Sequence, residues 1–218
     1  MQTPVHLVIG AGPGLGAGIA RRFAREGYFA VLTTRHQEQA DDLAAQLTAG
    51  GCAAAGFAID LLDAADVARA VTAVGERYGR IDVLHFNPSA WREKDPLQLT
   101  AAELLEDVML GVGALLPAVQ AARPFQRAGS RVLVTGSAAA DKPWHRAASL
   151  GVQKAAVRNL VTSLDATLAP EGIRAVAVQI NGLLAAQGPF SPPPIAEAMW
   201  RAVTRPDESW TPHVSYDG

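Results

Sequence analysis

Residues 5–16 read VHLVIGAGPGLG, an apolar and largely β-branched run followed by four glycines in alternate positions. The run from Val5 to Ile9 predicts a buried β-strand, and the glycines predict a turn that leads directly into a helix. In such a turn the backbone can approach a pyrophosphate, whose charge is met by free N–H groups and by the helix dipole. A tight turn with packing glycines is the plainer alternative. Four glycines at this place favour nucleotide binding, and with it an α/β sheet.

Beyond this motif, apolar strand-like segments alternate with longer segments of helical period. Nearly continuous hydrophobic strands are typical of a parallel sheet with helices on both faces, which right-handed crossovers make doubly wound. Thr100 and Glu103 form a capping box at the start of the fourth helix. The predicted strands are Val5–Ile9, Phe29–Thr34, Ala54–Ile59, Ile81–Phe86, Arg131–Thr135 and Ile173–Ile180. The predicted helices are Leu15–Glu26, Gln37–Ala49, Ala64–Tyr78, Ala101–Arg123 and Ala147–Leu168.

The C-terminal part differs in composition, because prolines at positions 189, 192, 193 and 194 interrupt regular structure there. A short helix is predicted from Ile195 to Val203, and the region around residues 183–205 is interpreted as a Pro-rich lid or loop. The segment from Trp210 to Tyr216 could add a seventh strand, although Pro212 restricts it to the sheet edge. The predicted fold is one α/β domain over residues 1–218, a doubly wound Rossmann-type sheet of six or seven mainly parallel strands flanked by helices.

The composition excludes several classes of protein. The 218 residues are 49% hydrophobic and 18% charged, as in one soluble globular domain. A formal net charge of −2 without a basic stripe argues against nucleic acid and anionic membrane as partners. Cys52 is the single cysteine, so no internal disulfide is possible, and no His or Cys cluster has metal-ligand spacing. Without an apolar run of roughly 18 residues or a signal peptide, we expect a cytoplasmic protein that binds a small molecule.

The chain resembles the short-chain dehydrogenase/reductase family through motifs that occur in the family's order. The glycine turn has the family's Gly-x-x-x-Gly-x-Gly spacing, and Ser137 precedes Lys154 by seventeen residues, as the family's catalytic serine and lysine do. Residues 86–89, Phe-Asn-Pro-Ser, resemble the family's Asn-Asn-Ala-Gly but share only Asn87 with it. The sixth strand ends in Asn181-Gly182, where the family usually has Pro-Gly. The resemblance implies that the cofactor is bound by Gly10, Pro13, Gly14, Leu15, Gly16, Arg35, Asp60, Leu61, Asn87, Lys154 and Gly182.

The end of the second predicted strand favours NADP over NAD as that cofactor. In the family an acidic residue usually stands at this place, where it accepts the ribose hydroxyls of NAD and repels a 2′-phosphate. Here the position holds Thr34, and the neighbouring Arg35 can give a charge-assisted bond to a 2′-phosphate. An arginine that is merely solvated at the surface remains the alternative.

The resemblance also shows what the site lacks. The family's proton donor is a tyrosine four residues before the lysine, and Leu150 occupies that position. The family's helix asparagine is missing from the stretch 108–113, and Ala186 replaces the threonine that contacts the carboxamide. Loss of a positioned acid costs two to four orders of magnitude in rate unless another group replaces it. His145, in a loop expected to border the substrate, is the candidate replacement, and the predicted catalytic residues are therefore Ser137, Lys154 and His145.

Three functions remain open from the sequence. The first is an NADP-dependent oxidoreductase that acts on a small carbonyl or alcohol through an altered proton relay. The second is a repurposed enzyme with non-redox chemistry such as cyclisation, dehydration or isomerisation. The third is a catalytically silent nucleotide-binding subunit. A homodimer or homotetramer is an expectation from the resemblance, since relatives usually pair through two long central helices.

Overall fold

A seven-stranded parallel sheet forms the centre of the molecule, of which this computed structural model describes residues 3–218. The strands are β1 (Val5–Ile9), β2 (Phe29–Thr34), β3 (Ala54–Ala58), β4 (Val83–Phe86), β5 (Arg131–Ser137), β6 (Arg174–Ile180) and β7 (His213–Tyr216). They lie in the order β3-β2-β1-β4-β5-β6-β7, and every pair of neighbours is parallel. The predicted doubly wound sheet of six or seven mainly parallel strands is confirmed, and the number of strands is seven.

Helices cover both faces of the sheet. They are α1 (Leu15–Ala24), α2 (Gln37–Ala49), α3 (Ala64–Tyr78), α4 (Ala101–Val108), α5 (Leu115–Ala122), α6 (Ala148–Leu168) and α7 (Pro192–Val203). The capping box predicted from the sequence is present, since the side chains of Thr100 and Glu103 each bond to the other's backbone N–H. Among residues 3–218, none of the helices combines the length and the apolar character that a bilayer-spanning segment requires.

The sheet divides the hydrophobic core into two halves. Residues of β1 alternate between them: Leu7 packs with the side chains of α3, α5 and α6, and Val8 packs with those of α1 and α2. Because both faces are covered, the central strands are buried and mostly apolar, as the sequence indicated, with His6 and His85 as buried polar exceptions. The strand order reverses between β1 and β4, and such a reversal opens a crevice at the carboxyl ends of the strands.

The long helix predicted over residues 101–123 is interrupted, which corrects the sequence-based expectation. Residues Met109–Gly113 form a π-helical turn between α4 and α5, and a short 3₁₀ segment follows α5. The backbone N–H of Ala114 donates to the Met109 carbonyl, five residues earlier, at 2.9 Å. Pro117 has no N–H for the carbonyl of Gly113, so regular α-helical bonding cannot run through this stretch. π-Helical turns within helices are frequent at functional sites.

The proline-rich segment also differs from the expectation. The prolines at 192, 193 and 194 do not precede the last helix but form its first turn, after the Ser191 N-cap. Proline is tolerated there because first-turn N–H groups have no partner within the helix. Irregular structure is therefore confined to residues 181–191, a shorter stretch than predicted. The edge position of the last strand is confirmed: β7 starts directly after Pro212 and pairs with β6 alone.

Candidate active site

The turn between β1 and α1 brings the backbone close to its neighbours at two glycines. Gly10 has a φ of +74°, and a Cβ there would lie 2.9 Å from the Pro88 Cγ. A Cβ on Gly16 would lie 3.0 Å from the Ala11 Cα. At Gly12, by contrast, an added Cβ meets no atom within 4 Å. The turn is thus closed toward the protein and open on one side, where a ligand can approach the backbone.

A groove of about 440 Å³ runs along the open side of this turn. Gly14 is the N-cap of α1 and has no side chain to cap the helix. The Ala17 N–H donates to the Gly12 carbonyl at 3.0 Å, and the N–H groups of Leu15 and Gly16 have no partner among the described residues. These groups and the positive end of the helix dipole suit a pyrophosphate. The groove is lined by Gly10, Ala11, Gly12, Leu15, Gly16, Thr34, Arg35, Asn87, Pro88, Ser89 and Leu110.

A smaller hollow of about 90 Å³ adjoins the groove at the ends of β2 and β3. Its walls suit a flat ring, because most of them are aliphatic and Asp60 is the acidic member. Arg35 stands at the rim, exposed, and no described residue forms an ion pair with its guanidinium. The hollow is lined by Gly10, Thr34, Arg35, Ile59, Asp60, Leu61, Leu62 and Leu110.

A chain of hydrogen bonds leads from the buried interior to the glycine turn. The Thr135 hydroxyl donates to Asn87 Oδ1 at 2.8 Å, and Asn87 Nδ2 donates to the Gly10 carbonyl at 2.9 Å. His85 Nε2 lies 2.9 Å from the same hydroxyl. Because the single hydroxyl proton is given to Asn87, the His85 Nε2 must carry a proton and act as donor. This chain fixes the orientation of the Asn87 carboxamide beside the groove.

His85 and His6 are both fully buried and their rings stack at 5.7 Å. Burial lowers the pKa of His85 to about 3 and the pKa of His6 well below its usual value. Both rings are therefore neutral at physiological pH. Only His85 has a hydrogen-bond partner, since neither ring nitrogen of His6 contacts one among the described residues.

Beyond Asn87 the groove opens into a cavity of about 310 Å³. It lies where β4, β5 and β6 end and where α6 passes over them. Its lining is mostly apolar, and Lys154 is the one ionisable side chain among the described residues that line it. The lining consists of Leu15, Asn87, Ser89, Trp91, Thr135, Gly136, Ser137, Leu150, Lys154, Ile180, Gly182, Leu183 and Leu184. We refer to it as the front cavity.

Lys154 is buried, and its ammonium is held by backbone carbonyls. Its Nζ donates to the Thr135 carbonyl at 3.0 Å and to the Pro88 carbonyl at 3.3 Å. Burial lowers its pKa to about 8. Ser137, at the end of β5, lines the same cavity, and its Oγ accepts a hydrogen bond from the Ala139 N–H at 3.2 Å. The serine and the lysine predicted to act together are thus brought to one cavity.

Leu150 lines the front cavity one helical turn before Lys154. The expectation that residues four apart on α6 share a face is therefore confirmed. A leucine side chain has neither a proton to donate nor a lone pair to accept one. The helix presents an apolar surface to the cavity at this point.

The π-helical turn lacks a side chain where it meets α6, and a buried glutamine fills that space. A Cβ on Gly111 would lie 2.2 Å from Gln153 Oε1, so no other residue type fits at position 111 without a shift. The Gln153 carboxamide bonds to the main chain of Ala90 through both its oxygen, at 2.9 Å, and its nitrogen, at 3.2 Å. This closes the cavity on the side of α4.

Exposed apolar side chains surround the mouth of the front cavity. The Trp91 ring stacks on the Trp144 ring at a centroid distance of 5.7 Å, and Trp91 is 62% exposed. On the opposite side, Leu183 and Leu184 are 89% and 60% exposed. Large apolar side chains in this number at the rim of a cavity favour an apolar ligand.

The loop that carries Trp91 is held in place by its neighbour Arg92. The guanidinium makes two hydrogen bonds to the buried Asp107 carboxylate on α4, at 2.9 and 3.0 Å. Burial alone would raise the pKa of Asp107, but the hydrogen bonds and charge of Arg92, with a contribution from Ser149, together lower it. A bidentate pair of this kind fixes geometry as well as charge. Trp91 therefore projects from an anchored segment.

The structure brings together most of the residues predicted from the sequence. Arg35, Asp60 and Leu61 line the hollow, Gly10 and Gly16 the groove, and Ser137, Lys154 and Gly182 the front cavity; Leu15 and Asn87 line both of the latter. Pro13 and Gly14 are exposed at the start of α1 and line none of the three. His145 lies elsewhere, in a surface hollow with Glu93, Lys94, Asp95, Gln98 and Arg146. The structure does not bring it to Ser137 and Lys154.

Sequence reasoning missed several residues of the site. Leu110 reaches the groove from the π-helical turn, which no sequence pattern indicated. Thr135 is the residue that joins His85 and Asn87 in the hydrogen-bond chain. It lies two residues before Ser137 on the same strand, so the alternation of side chains puts both on one face, and this was the sequence signal that could have identified Thr135. Trp91 begins a segment, residues 91–96, that was expected only to shape the substrate, and Leu183 was expected only as part of the Pro-rich lid or loop. Their positions follow from packing between elements distant in sequence.

Because the three hollows share lining residues, they form one continuous depression across the carboxyl ends of the strands. A nicotinamide dinucleotide has an adenosine, a pyrophosphate and a reactive ring in a row, and the depression offers a matching series of surroundings. The residues present fit such a cofactor: an aliphatic hollow, an open glycine turn at a helix N-terminus, and a cavity with a buried lysine.

Comparison with known proteins places these features in a family. The family model described as short chain dehydrogenase matches residues 4–187. An A-factor type gamma-butyrolactone 1′-reductase (1S-forming) from Streptomyces virginiae is 32% identical over 178 residues, which are 80% of this chain and 69% of that protein. The short-chain reductase protein NovJ from Streptomyces niveus is 29% identical over 180 residues, 81% of this chain and 68% of that one.

Solved structures agree with the fold. A short chain dehydrogenase from Burkholderia cenocepacia J2315, solved in complex with NADP, is 26% identical with a TM-score of 0.87 and covers 100% of this chain and 97% of its own. A dehydrogenase/reductase from Sinorhizobium meliloti 1021 has a TM-score of 0.88 at 24% identity, covering 100% of this chain and 95% of its own. The second comparison bears on the fold alone.

Proposed function

Because this chain belongs to the short-chain dehydrogenase/reductase family, we propose that it is an NADP(H)-dependent oxidoreductase for a small carbonyl or alcohol substrate. The observation that carries this proposal is the continuous depression from Asp60, past the glycine turn, to Ser137 and Lys154. When bound, the cofactor supplies or accepts a hydride at its nicotinamide ring. The chain's own residues then have to hold the substrate, exclude water and handle one proton.

NADP is proposed over NAD because of the rim of the small hollow. Arg35 lines both the hollow and the groove and has no ion-pair partner among the described residues. Its guanidinium is thus available for a 2′-phosphate. Thr34, next to it, carries no negative charge, and its hydroxyl donates to the His36 carbonyl at 2.7 Å. The Burkholderia structure with NADP is consistent with this choice.

In the front cavity, Ser137 orients the substrate oxygen by a hydrogen bond. Lys154 has one N–H left, beyond its bonds to Thr135 and Pro88, for the sugar next to the nicotinamide or for the substrate oxygen. Leu150 stands where the family has its tyrosine, so the proton relay is altered. His145 lies outside the cavity, and its part in the relay stays a prediction. The apolar mouth excludes water and favours substrates with an apolar body beside the carbonyl.

The irregular segment 181–191 is proposed as a lid over this cavity. Phe190 anchors its far end, since a Cβ on Gly182 would lie 2.4 Å from the Phe190 ring, and the Tyr216 hydroxyl bonds to the Pro189 carbonyl. A homodimer or homotetramer and a cytoplasmic location are proposed with the function. Exposed leucine and valine side chains on α4, α5 and α6 supply an apolar surface for assembly: Leu105, Leu116 and Val152.

The test is direct. Purified protein is titrated with NADPH and NADH by calorimetry, and a panel of apolar aldehydes and ketones is added while the absorbance of the reduced nicotinamide is followed. We expect tighter binding of NADPH and carbonyl-dependent oxidation of it. Binding of neither nucleotide contradicts the proposal. Binding without oxidation favours a silent nucleotide-binding subunit, and product formation without oxidation favours non-redox chemistry.

A further inference from the structure

Lys154 separates the front cavity from a second cavity behind it. The second cavity, of about 120 Å³, lies between α6 and the strands β6 and β7, and we refer to it as the rear cavity. Lys154 lines both cavities, as do Gly136 and Ser137 at the end of β5. The rear cavity is the more polar of the two and is lined by Gly136, Ser137, Ala140, Asp141, Lys154, Arg158, Ala177, Gln179, His213, Val214 and Ser215.

Within residues 3–218, no other ionisable side chain lines the front cavity. Among the described residues that line the front cavity, the polar side chains besides Lys154 are neutral hydroxyls and one carboxamide. A serine or threonine hydroxyl holds its proton far above neutral pH and is a poor acid without a base beside it. The Thr135 hydroxyl is moreover already committed to Asn87. A proton for a substrate oxygen therefore has one source in this cavity.

One N–H of the Lys154 ammonium has no hydrogen-bond partner among the described residues. The ammonium carries three N–H donors, and its two hydrogen bonds, to the carbonyls of Thr135 and Pro88, occupy two of them. Both partners are neutral, so no carboxylate holds the charge in place. Burial lowers the pKa of Lys154 to about 8, which brings proton release into the range of general acid catalysis.

The charged surroundings of Lys154 lie on its rear side. Asp141, Arg158 and His213 line the rear cavity, where the Arg158 guanidinium bonds to Asp141 at 2.5 Å and to Gln179 at 3.2 Å. On the side of α4, the Gln153 carboxamide fills the space beside Gly111 and is neutral. The polar route from Lys154 to water therefore runs through the rear cavity.

We propose that Lys154 is itself the catalytic acid of this protein and that it is reprotonated by water that enters through the rear cavity. This rests on the proposed oxidoreductase function. In carbonyl reduction, hydride from NADPH forms the new C–H bond while the Nζ–H bond breaks and its proton passes to the carbonyl oxygen. The carbonyl becomes an alcohol and NADPH becomes NADP⁺. The neutral amine then takes a proton from water that enters from the rear.

The first experiment uses the free protein. The chain has three lysines, Lys94, Lys142 and Lys154, so the side-chain resonances of a ¹³C-lysine-labelled sample can be assigned by single substitutions. We expect one of the three to titrate near pH 8 and to vanish in Lys154→Met. Titration of all three lysines near the ordinary value of about 10.4 overturns the proposal.

The second experiment separates acid catalysis from cofactor binding. Lys154→Arg keeps a positive charge and hydrogen-bond donors but cannot release a proton near neutral pH. We expect kcat at saturating NADPH to fall about a hundredfold or more, while the NADPH dissociation constant changes less than about threefold. The exposed Lys142→Arg is the matched control and leaves both unchanged. A Lys154→Arg enzyme that keeps its kcat overturns the proposal.

The pH dependence of kcat distinguishes acid catalysis by Lys154 from a purely structural role of this residue. An ammonium acts as acid only below its pKa, so wild-type kcat for reduction should decline as pH rises through the value found by NMR. A kcat that stays level through that value overturns the proposal. The Ala140→Leu variant, which fills the rear cavity, should slow proton uptake and lower kcat with little change in KM. Unchanged kcat in this variant overturns the proposed proton supply through the rear cavity.

Failure of this inference can be told from failure of the proposed function. If wild-type protein oxidises NADPH with carbonyls and Lys154→Arg does so equally well, the function stands and Lys154 is not the acid. If wild-type protein binds NADPH but never oxidises it, the function fails, and the assignment of Lys154 fails with it. The NMR titration decides the state of the lysine in either case.

Discussion

The two ends of the depression are built from different parts of the chain. At the nucleotide end the chemistry comes from the backbone: a glycine turn, the first N–H groups of α1, and the carbonyl of Gly10 held by Asn87. At the substrate end it comes from side chains, with one ionisable group, Lys154, among apolar neighbours such as Leu150 and Trp91. A backbone site survives most substitutions around it, whereas a single side-chain change can remove a proton donor.

The largest effect is expected at the nucleotide end, where bulk added at the open face of the turn blocks the ligand. Gly12→Val meets no protein atom within 4 Å at its Cβ, so the fold should persist while NADP binding is lost, by about a hundredfold or more in dissociation constant. Calorimetry with NADP measures it. The control is Ala65→Val, an equally exposed change at the start of α3, whose cap is the Asp63 side chain. Unaltered affinity in Gly12→Val would place the nucleotide elsewhere.

At the substrate end, the next largest effect is expected when a tyrosine replaces Leu150. Leu150→Tyr places a phenol one turn from the Lys154 ammonium, which should lower the phenol's pKa from its usual value of about 10. NADPH oxidation with reactive carbonyls should rise by up to about a hundredfold. Asn159→Tyr, at an exposed position of the same helix outside the front cavity, is the control. A slower enzyme after Leu150→Tyr would mean that the existing relay needs the apolar side chain.

A moderate effect is expected at the rim of the hollow. Arg35→Asp replaces a free cation by a carboxylate, which repels a 2′-phosphate and accepts ribose hydroxyls. NADP affinity should fall by about fiftyfold, the worth of one or two charge-assisted bonds, and NAD affinity should rise. Titration of both nucleotides measures the change. The exposed Arg25→Asp, at the C-terminal end of α1 and outside the lining of the three hollows, is the control. Wild-type protein that binds both nucleotides equally well would contradict the assignment of NADP.

The smallest effect is expected in the hydrogen-bond chain that runs from His85 through Thr135 and Asn87 to the glycine turn. His85→Phe removes the donor to Thr135 and loosens Asn87, so NADP affinity should fall by about fivefold to tenfold, as loss of one hydrogen bond predicts. His6→Phe is the matched control, since His6 is equally buried but has no hydrogen-bond partner among the described residues.

His85→Gln tests whether a different donor to Thr135 can restore the same hydrogen-bond chain. Its Nε2 can donate to the hydroxyl of Thr135, so it should recover part of the affinity. All three variants are compared at a temperature where each is fully folded. Equal losses in His6→Phe and His85→Phe would show that packing, and not the hydrogen-bond chain, supports the turn.

Sequence reasoning reached the nucleotide end more completely than the substrate end. The turn, Arg35, Asp60 and Asn87 belong to short motifs next to strand ends, so local order was enough to place them. His145 was expected at the substrate because its loop follows Ser137. The structure instead turns this loop outward and puts the stacked pair of Trp91 and Trp144 at the cavity mouth. Loop direction depends on packing against distant segments and has no local pattern.

The π-helical turn shows the same limit within a helix. The 3.6-residue period runs through residues 101–123, and it predicted one continuous helix. Pro117 and the two glycines before it were visible, but whether they kink, end or bulge a helix depends on what packs beside it. Here the Gln153 side chain lies against Gly111, and that contact joins elements 42 residues apart in the chain.

The sequence by itself determined the doubly wound sheet, the nucleotide turn at its first strand, and the absence of a tyrosine before Lys154. These follow from period, from glycine spacing and from residue identity, which are local properties. The surroundings of Lys154 came from the tertiary structure: it lies between two cavities, bonds to two carbonyls, and is the one ionisable side chain among the described residues that line the front cavity. Burial and the neighbours that set an ionisable group's behaviour are contributed by strands and helices far apart in the chain, and only folding brings them together.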